Sequence, residues 1–203
     1  IGLRPINALA DITNLISYDR CRPLHVYDVA KLSGPIRARR GAGEGDKFEA
    51  LDGKEYTPAE SMCVIADDAR CLGFGGVMGG EYSGCGNDTT DVFLESAWFA
   101  PLITRATAKA TGIESDAKYR FERGVDPASV VDGIEQTSRL ILDICGGEAS
   151  EISVAGTVPT APADIEFPLA EVKRLTGLDL PRAEIIRILS TLGFTPSGDG
   201  DVL

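Results

Sequence analysis

The sequence holds a single histidine and is short of positive charge: 20 Lys and Arg stand against 31 Asp and Glu in 203 residues, a formal net charge of −11. Unspecific nucleic-acid binding runs on Lys and Arg meeting phosphates, so this chain is not expected to coat a nucleic acid through bulk electrostatics. Any RNA contact has to be local or carried by another domain. No apolar run approaches the roughly 18 residues of a membrane helix, and no signal peptide opens the chain. The five cysteines, at positions 21, 63, 71, 85 and 145, form no CxxC pair, and Cys and His are too scattered for a zinc site. A reduced cytosolic protein without a metal or a membrane partner is the plain reading. There is no Gly-x-Ser-x-Gly elbow for a serine nucleophile, and no internal repeat. The chain opens on Ile1 rather than methionine, which reads as a segment excised from a longer protein.

What is present suits a folded unit. Apolar residues make up 43% of the chain, enough for a real core, and the length fits one large domain or one domain plus a fragment. Ile6, Leu9, Ile12 and Ile16 lie at helical spacing with Leu15 widening the stripe, which predicts a helix over residues 6–19. Ile36 to Arg40 and Phe48 to Leu51 read as strands. Asp52-Gly53 is a strong hairpin turn before Lys54-Glu55-Tyr56. A turn at residues 57–60, a strand at 62–66 and a second turn at Asp67-Asp68 follow. Val92-Phe93-Leu94 is a short strand that ends in Glu95. Helices are expected over residues 101–111 and 127–145, the second with Val130, Ile134, Thr137, Ile141 and Ile144 on one face. Asp126 is its expected N-cap and Pro127 its first residue, and Gly146-Gly147 stops it. Pro159 and Pro162, among Ala and Thr, give linker composition. Two short helices, 169–176 and 182–192, complete the chain, each followed by glycine. Strands and helices mix without βαβ alternation, so the expected class is α+β rather than a doubly wound sheet.

Cys71 to Gly80 is apolar and dense in glycine. A phosphate-loop reading fails because no Gly-Lys-Ser/Thr follows, and the third glycine of a GxGxxG fingerprint falls on Met78. Two readings stay open. The glycines let backbone pack closely, or Gly75, Gly76, Gly79 and Gly80 leave N–H groups open to a ligand. His25 is either a structural residue or part of a site whose partners the sequence does not place. Glu95 closes an apolar run, and a carboxylate there is at least partly buried. It either makes a structural hydrogen bond or binds a ligand, since a buried charge is costly without partners. Tyr119 to Pro127 alternates charge with aromatics and reads as a solvated, salt-bridged turn. With Arg105, Lys109 and Lys118 it also makes a local basic patch.

Several segments together resemble one family. Arg4-Pro5-Ile6-Asn7, Asp11-Ile12-Thr13-Asn14, Arg22-Pro23-Leu24-His25-Val26-Tyr27-Asp28, Leu51-Asp52-Gly53 and Val64-Ile65-Ala66-Asp67 are similar to the bacterial phenylalanyl-tRNA synthetase β-subunit. So are Gly76-Val77-Met78-Gly79-Gly80, Phe93-Leu94-Glu95-Ser96-Ala97 and the run from Tyr119 to Pro127, in matching order and spacing. The resemblance covers essentially the whole chain.

It implies a layered β/β/α editing domain over residues 1–155, a linker at 156–163, and the first part of a small helical, nucleic-acid-binding-like domain at 164–203. It implies hydrolysis of tyrosine wrongly attached to tRNA(Phe), within a cytoplasmic heterotetramer of two α and two β chains. The α chain would carry the aminoacylation site with its ATP and magnesium. The expected partners are the acceptor end of tRNA(Phe) and the α subunit, and no cofactor is expected in this segment. The carried-over site comprises His25, Asn14, Thr13 and Arg4 for catalysis, and Glu95, Gly76, Gly79, Pro23, Ser115 and Ala117 for substrate binding. Thr13, Asn14 and Arg4 come from the first helix region, and Pro23 and His25 from the loop after it. Arg22 stands where relatives usually have Gln and is expected to alter the pocket rim. Two other readings remain: a free-standing aminoacyl-tRNA deacylase, and a non-catalytic RNA-binding or structural domain.

Overall fold

The computed structural model describes residues 2–159 and 164–203. Two compact units are formed, Ile1–Val158 and Pro159–Leu203. Part of the linker expected at 156–163, residues 160–163, lies outside the described residues.

The first unit opens with helix α1 (Ala8–Arg20). The Asn7 side chain accepts from Ala10 N–H at 2.9 Å and starts the helix, and Cys21, at φ 53°, ends it. This start leaves Ile6 outside the helix and exposed. Ile12 and Ile16 are buried at 4%, but Leu15 is 53% exposed and does not join their stripe. One residue is a step of about 100° around a helix, which turns Leu15 away from the face that Ile16 buries.

Strand β1 (Leu24–Asp28) follows, then β2 (Arg37–Arg40), β3 (Phe48–Glu49), β4 (Glu55–Tyr56), β5 (Cys63–Ala66), β6 (Cys71–Phe74), β7 (Met78–Gly79) and β8 (Val92–Ser96). All pairings are antiparallel. β1 pairs with β8, β3 with β4, and the third sheet runs β2-β5-β6-β7. The expected hairpin forms around Asp52-Gly53: Gly53 has φ 72° and donates to the Ala50 carbonyl at 2.8 Å. Strand β1 forms where a loop is expected, and His25 and Tyr27 alternate with Val26 as a strand requires.

Helix α2 (Pro101–Thr111) has the bounds its sequence predicts. Helix α3 (Asp116–Phe121) takes up the first three residues of the expected turn, Tyr119 to Phe121, and residues 122–127 stay non-helical. Its charges lie four apart, and Lys118 pairs with Glu114 at 2.9 Å and Glu122 at 3.3 Å, while Arg120 pairs with Asp116 at 3.3 Å. Lys118 is therefore neutralised locally and adds little to a basic patch. Helix α4 (Ser129–Cys145) starts two residues later than expected. Asp126 accepts from Ala128 N–H at 2.9 Å and closes a turn ahead of the helix rather than capping it. Gly133 and Thr137 form its buried face, and Ile144 is 62% exposed.

α1 and β8 both pack against α4. Arg22 lies at this junction and is only 1% exposed. Its guanidinium donates to the Ala97 carbonyl at 2.6 Å, the Asp126 carbonyl at 2.5 Å and Ser129 Oγ at 2.7 Å. Burial lowers its pKa, with the Asp126 charge opposing that. Arg22 is thus a clamp between β8 and the start of α4, and not the rim residue expected. The core divides into a cluster around Phe48, Val64, Phe74 and Val77 and another around Tyr27, Leu72, Phe99 and Phe121.

The second unit holds α5 (Ala170–Thr176) and α6 (Arg182–Thr191), both where glycine stops predict them. A bridge between Pro168 and Val202 was not anticipated; it is secured by Phe167 and Leu203 exchanging backbone hydrogen bonds at 2.9 and 3.0 Å.

Candidate functional site

The register of β1 against β8 sets His25 directly opposite Glu95. Directly opposed residues of an antiparallel pair share a face, and so do residues two apart on one strand. His25, Tyr27 and Glu95 therefore gather on one side of the two-stranded sheet. The Tyr27 hydroxyl donates to Glu95 Oε2 at 2.6 Å, and the His25 and Tyr27 rings meet edge-on with centroids 4.5 Å apart. Glu95 Oε1 makes no hydrogen bond among the described residues.

The glycine turn between β6 and β7 closes over this group. A Cβ on Gly79 would stand 2.4 Å from His25 Cε1, so only glycine lets the imidazole come this close to that backbone. Gly76, at φ 72°, takes a left-handed conformation with its backbone close to the Phe99 ring. The N–H groups of Gly75 and Gly80 are committed to the carbonyls of Cys63 and Leu72 at 3.0 and 2.7 Å. They are therefore closed to a ligand, which removes these two from the second reading of the glycine run. Gly76 N–H has no such bond among the described residues.

Together these elements bound a cleft with about 450 Å³ of empty space, counted out to its open mouth. Of the residues named from the sequence, Pro23, His25, Gly76, Gly79, Glu95 and Ala117 line it. His25 does so from a strand, not from a loop. Arg4, Thr13, Asn14 and Ser115 stand outside its lining. Thr13 Oγ1 donates to the Ala10 carbonyl within α1, at 2.9 Å, and Arg4 is exposed ahead of that helix. Ser115 caps α3 by accepting from Lys118 N–H at 3.0 Å, and it donates to the Val77 carbonyl at 2.5 Å. It thereby ties the helix that carries Ala117 to the glycine turn. Tyr27, Phe99 and Phe121 also line the cleft and were missed. Tyr27 carried a usable signal, its two-residue spacing from His25.

Burial governs the electrostatics. His25 as a residue is half-buried, but its Nε2 is sealed from solvent and unpartnered among the described residues. Burial lowers the imidazole pKa to about 4. Glu95 is pushed above the usual carboxylate range by burial, and the Tyr27 hydrogen bond works against that. Tyr27 is pushed well above the ordinary phenol value, first by burial and then by the Glu95 charge. At neutral pH His25 is a neutral imidazole on the cleft wall, with its sealed Nε2 turned toward Gly79. Among the described residues no three His, Cys, Asp or Glu side chains are placed to hold a metal ion.

The His25 shift has a sign that can be tested. A group whose folded pKa falls from 6.5 to about 4 contributes stability that is fully present above pH 6.5 and is lost as pH drops toward 4. Denaturant melts at pH 7 and pH 4.5 are expected to show a steeper acid loss for the native sequence than for His25→Leu. Equal losses would show that this imidazole is not buried in its neutral form.

A family model described as the B3/4 domain matches residues 1–146. The chain is 52% identical to the phenylalanine–tRNA ligase β subunit of Mesorhizobium japonicum over 203 residues, which is 100% of this chain and 25% of that protein. It is 51% identical to the subunit of the same name from Nitrobacter winogradskyi and 50% identical to that from Rhodopseudomonas palustris, with the same coverage. The chain thus spans about a quarter of the length of these relatives. Among solved structures it is similar to an N-terminal fragment of the phenylalanyl-tRNA synthetase β-subunit from Pyrococcus horikoshii. That match has 17% identity and a TM-score of 0.38, covering 91% of this chain and 55% of the other.

Proposed function

The chain belongs to the B3/4 domain family, and from that premise we propose that its cleft hydrolyses tyrosine wrongly esterified to tRNA(Phe), as the editing part of a phenylalanine–tRNA ligase β subunit. One observation carries the reading: a half-buried carboxylate in the cleft already binds a phenol hydroxyl, at 2.6 Å, and keeps its second oxygen unbonded.

Tyrosine and phenylalanine differ by one hydroxyl, and an apolar pocket rejects an analogue that merely adds a hydroxyl only weakly. A second site that favours the hydroxyl corrects the error. Glu95 Oε1 accepts the substrate phenol, and the free Gly76 N–H donates to its oxygen. A phenylalanine ring strips water from Glu95 and returns no partner. Such an unmade bond costs on the order of 1–3 kcal/mol, more when the group is charged.

An aminoacyl ester is labile, so a covalent nucleophile is not needed and a held water supplies much of the rate. His25, neutral and on the cleft wall, orients that water, the ester or the terminal adenosine. With a pKa of about 4 it is a weak base, so its contribution is positional more than proton-abstracting. Pro23 and Ala117 shape the slot for the ring. Arg4, Thr13 and Asn14 are assigned to the acceptor end of the tRNA. Ser115 acts through the glycine turn it holds.

The domain assignment follows the same reading: an editing domain at 1–155, a linker at 156–163, and the beginning of a small helical domain at 164–203. The whole cytoplasmic enzyme would pair two such β subunits with two α subunits. ATP and magnesium would serve aminoacylation on the α subunit and take no part in ester hydrolysis here. The net charge of −11 means that other parts of the enzyme hold the body of the tRNA.

The test is deacylation of tyrosyl- and phenylalanyl-tRNA(Phe) by the complete polypeptide. Faster loss of the tyrosyl ester is expected, and equal rates contradict the reading. Gly79→Ala is expected to lower tyrosyl-ester hydrolysis by roughly tenfold or more, because its Cβ displaces the imidazole from its working position. Overpacking against a ring held on Tyr27 is expected to cost about 1–3 kcal/mol as well, so rates are compared at a temperature where a melt shows the variant folded. Full activity in Gly79→Ala would remove His25 from the mechanism.

A further inference from the structure

We propose that Tyr27 is a positioning residue for substrate discrimination: its phenol is a permanent occupant of one Glu95 oxygen, and it aims the other at the incoming tyrosyl hydroxyl. This rests on the assignment of Glu95 as the phenol-binding carboxylate.

Tyr27 is 2% exposed and packed in the cluster with Leu72, Phe99 and Phe121, so it is not free to swing into the cleft. Its hydroxyl holds Oε2 at 2.6 Å, and the register of β1 on β8 fixes both residues on rigid elements. A buried glutamate without a fixed donor would sample rotamers or turn toward solvent. With one oxygen pinned, the direction of Oε1 is set before substrate arrives, and the ordering cost of binding falls. The same bond keeps the carboxylate partly satisfied when the cleft is empty.

The bond also affects ionisation. Facing Glu95 are Tyr27 and His25 from β1, and Cys63 of β5 lies close enough to feel its charge. The helix packed behind β8 buries Gly133 and Thr137, which are uncharged. No Lys or Arg pairs with Glu95 among the described residues. Tyr27 is thus the hydrogen bond that opposes the effect of burial on this carboxylate. Ionised Glu95 is the form that accepts a phenol, so the Glu95-dependent preference is present above its pKa and fades as pH falls through it.

The experiment measures kcat/KM for tyrosyl- and phenylalanyl-tRNA(Phe) hydrolysis from pH 5 to 9, using the complete polypeptide and its Tyr27→Phe and Glu95→Gln variants. In Tyr27→Phe the acid limb of the tyrosyl profile is expected to move up by roughly one pH unit, most of it in KM, with no parallel loss of phenylalanyl hydrolysis. A difluorotyrosine placed at position 27, a stronger donor of the same shape, should move the limb the opposite way. It covers the case in which Tyr27→Phe folds poorly. Limbs that coincide in all Tyr27 forms, while Glu95→Gln abolishes the tyrosyl preference, would overturn the Tyr27 proposal alone. Retention of the preference in Glu95→Gln would instead overturn the assignment of Glu95 beneath it.

Discussion

Glu95→Ala is expected to erase the preference for tyrosyl over phenylalanyl esters, a loss of roughly tenfold to a hundredfold in the ratio of kcat/KM values. The size follows from the interaction removed. A hydrogen bond to a charged group is worth about 1.5–3 kcal/mol, and each 1.4 kcal/mol is a factor of ten. The effect is double-sided. Tyrosine loses its acceptor, and phenylalanine no longer leaves a dehydrated carboxylate without a partner. The tyrosyl rate should therefore fall while the phenylalanyl rate rises or holds. Alanine also frees the Tyr27 hydroxyl, which then has a buried donor to satisfy, so some stability is lost alongside. Deacylation assays on both esters, with a thermal melt of the same sample, separate the two effects. A variant that is less stable yet keeps the native ratio of rates would mean that Glu95 is a structural residue.

The second large effect is on the fold. Arg22→Ala is expected to cost about 3 kcal/mol or more, because it strips the Ala97 and Asp126 carbonyls and the Ser129 hydroxyl of a buried donor and leaves a cavity. A domain of this size is stable by only about 5–15 kcal/mol, so the melting temperature should fall by roughly 10 °C. The clamp joins the end of β8 to the turn before α4, only two residues beyond Glu95 along the strand. Its loss should therefore raise KM for the tyrosyl ester even below the melting transition. A denaturant-derived loss under about 1 kcal/mol would show that water replaces the guanidinium, and that the junction is not sealed.

The two residues show where reasoning from sequence stops. Glu95 was legible because an apolar run ending in a carboxylate has few physical meanings, and both were stated: a structural hydrogen bond or a ligand contact. The structure shows the hydrogen bond, from Tyr27 to one oxygen, and leaves the other unbonded among the described residues. Arg22 was misplaced for a plain reason. Its place in the family motif, where relatives usually have Gln, put it at the rim, and nothing local reveals that three acceptors from residues 97, 126 and 129 converge on it. Long-range satisfaction of a buried charge is a tertiary fact.

Local signals fared according to their strength. Asp52-Gly53 and the proline and glycine at the ends of α2 are punctuation that backbone geometry enforces, and those elements lie where expected. Helix α3 was hidden because the salt-bridged run read from the sequence begins at Tyr119, which leaves out Glu114 and Asp116. The charge spacing of four, from Glu114 through Lys118 to Glu122, is the helical signature. Strand β1 was hidden too, its five residues too few for the alternation to stand out beside Pro23. With β1 unread, the approach of His25, Tyr27 and Glu95 to one face could not be derived, although the residue types were in view.

The most direct test is a crystal of the protein soaked with tyrosine. The phenolic oxygen is expected about 2.5–3.0 Å from Glu95 Oε1, within reach of Gly76 N–H, with Tyr27 still bound to Oε2. A tyrosine ring seated away from Glu95, or a Glu95 side chain turned out of the cleft, would contradict the account.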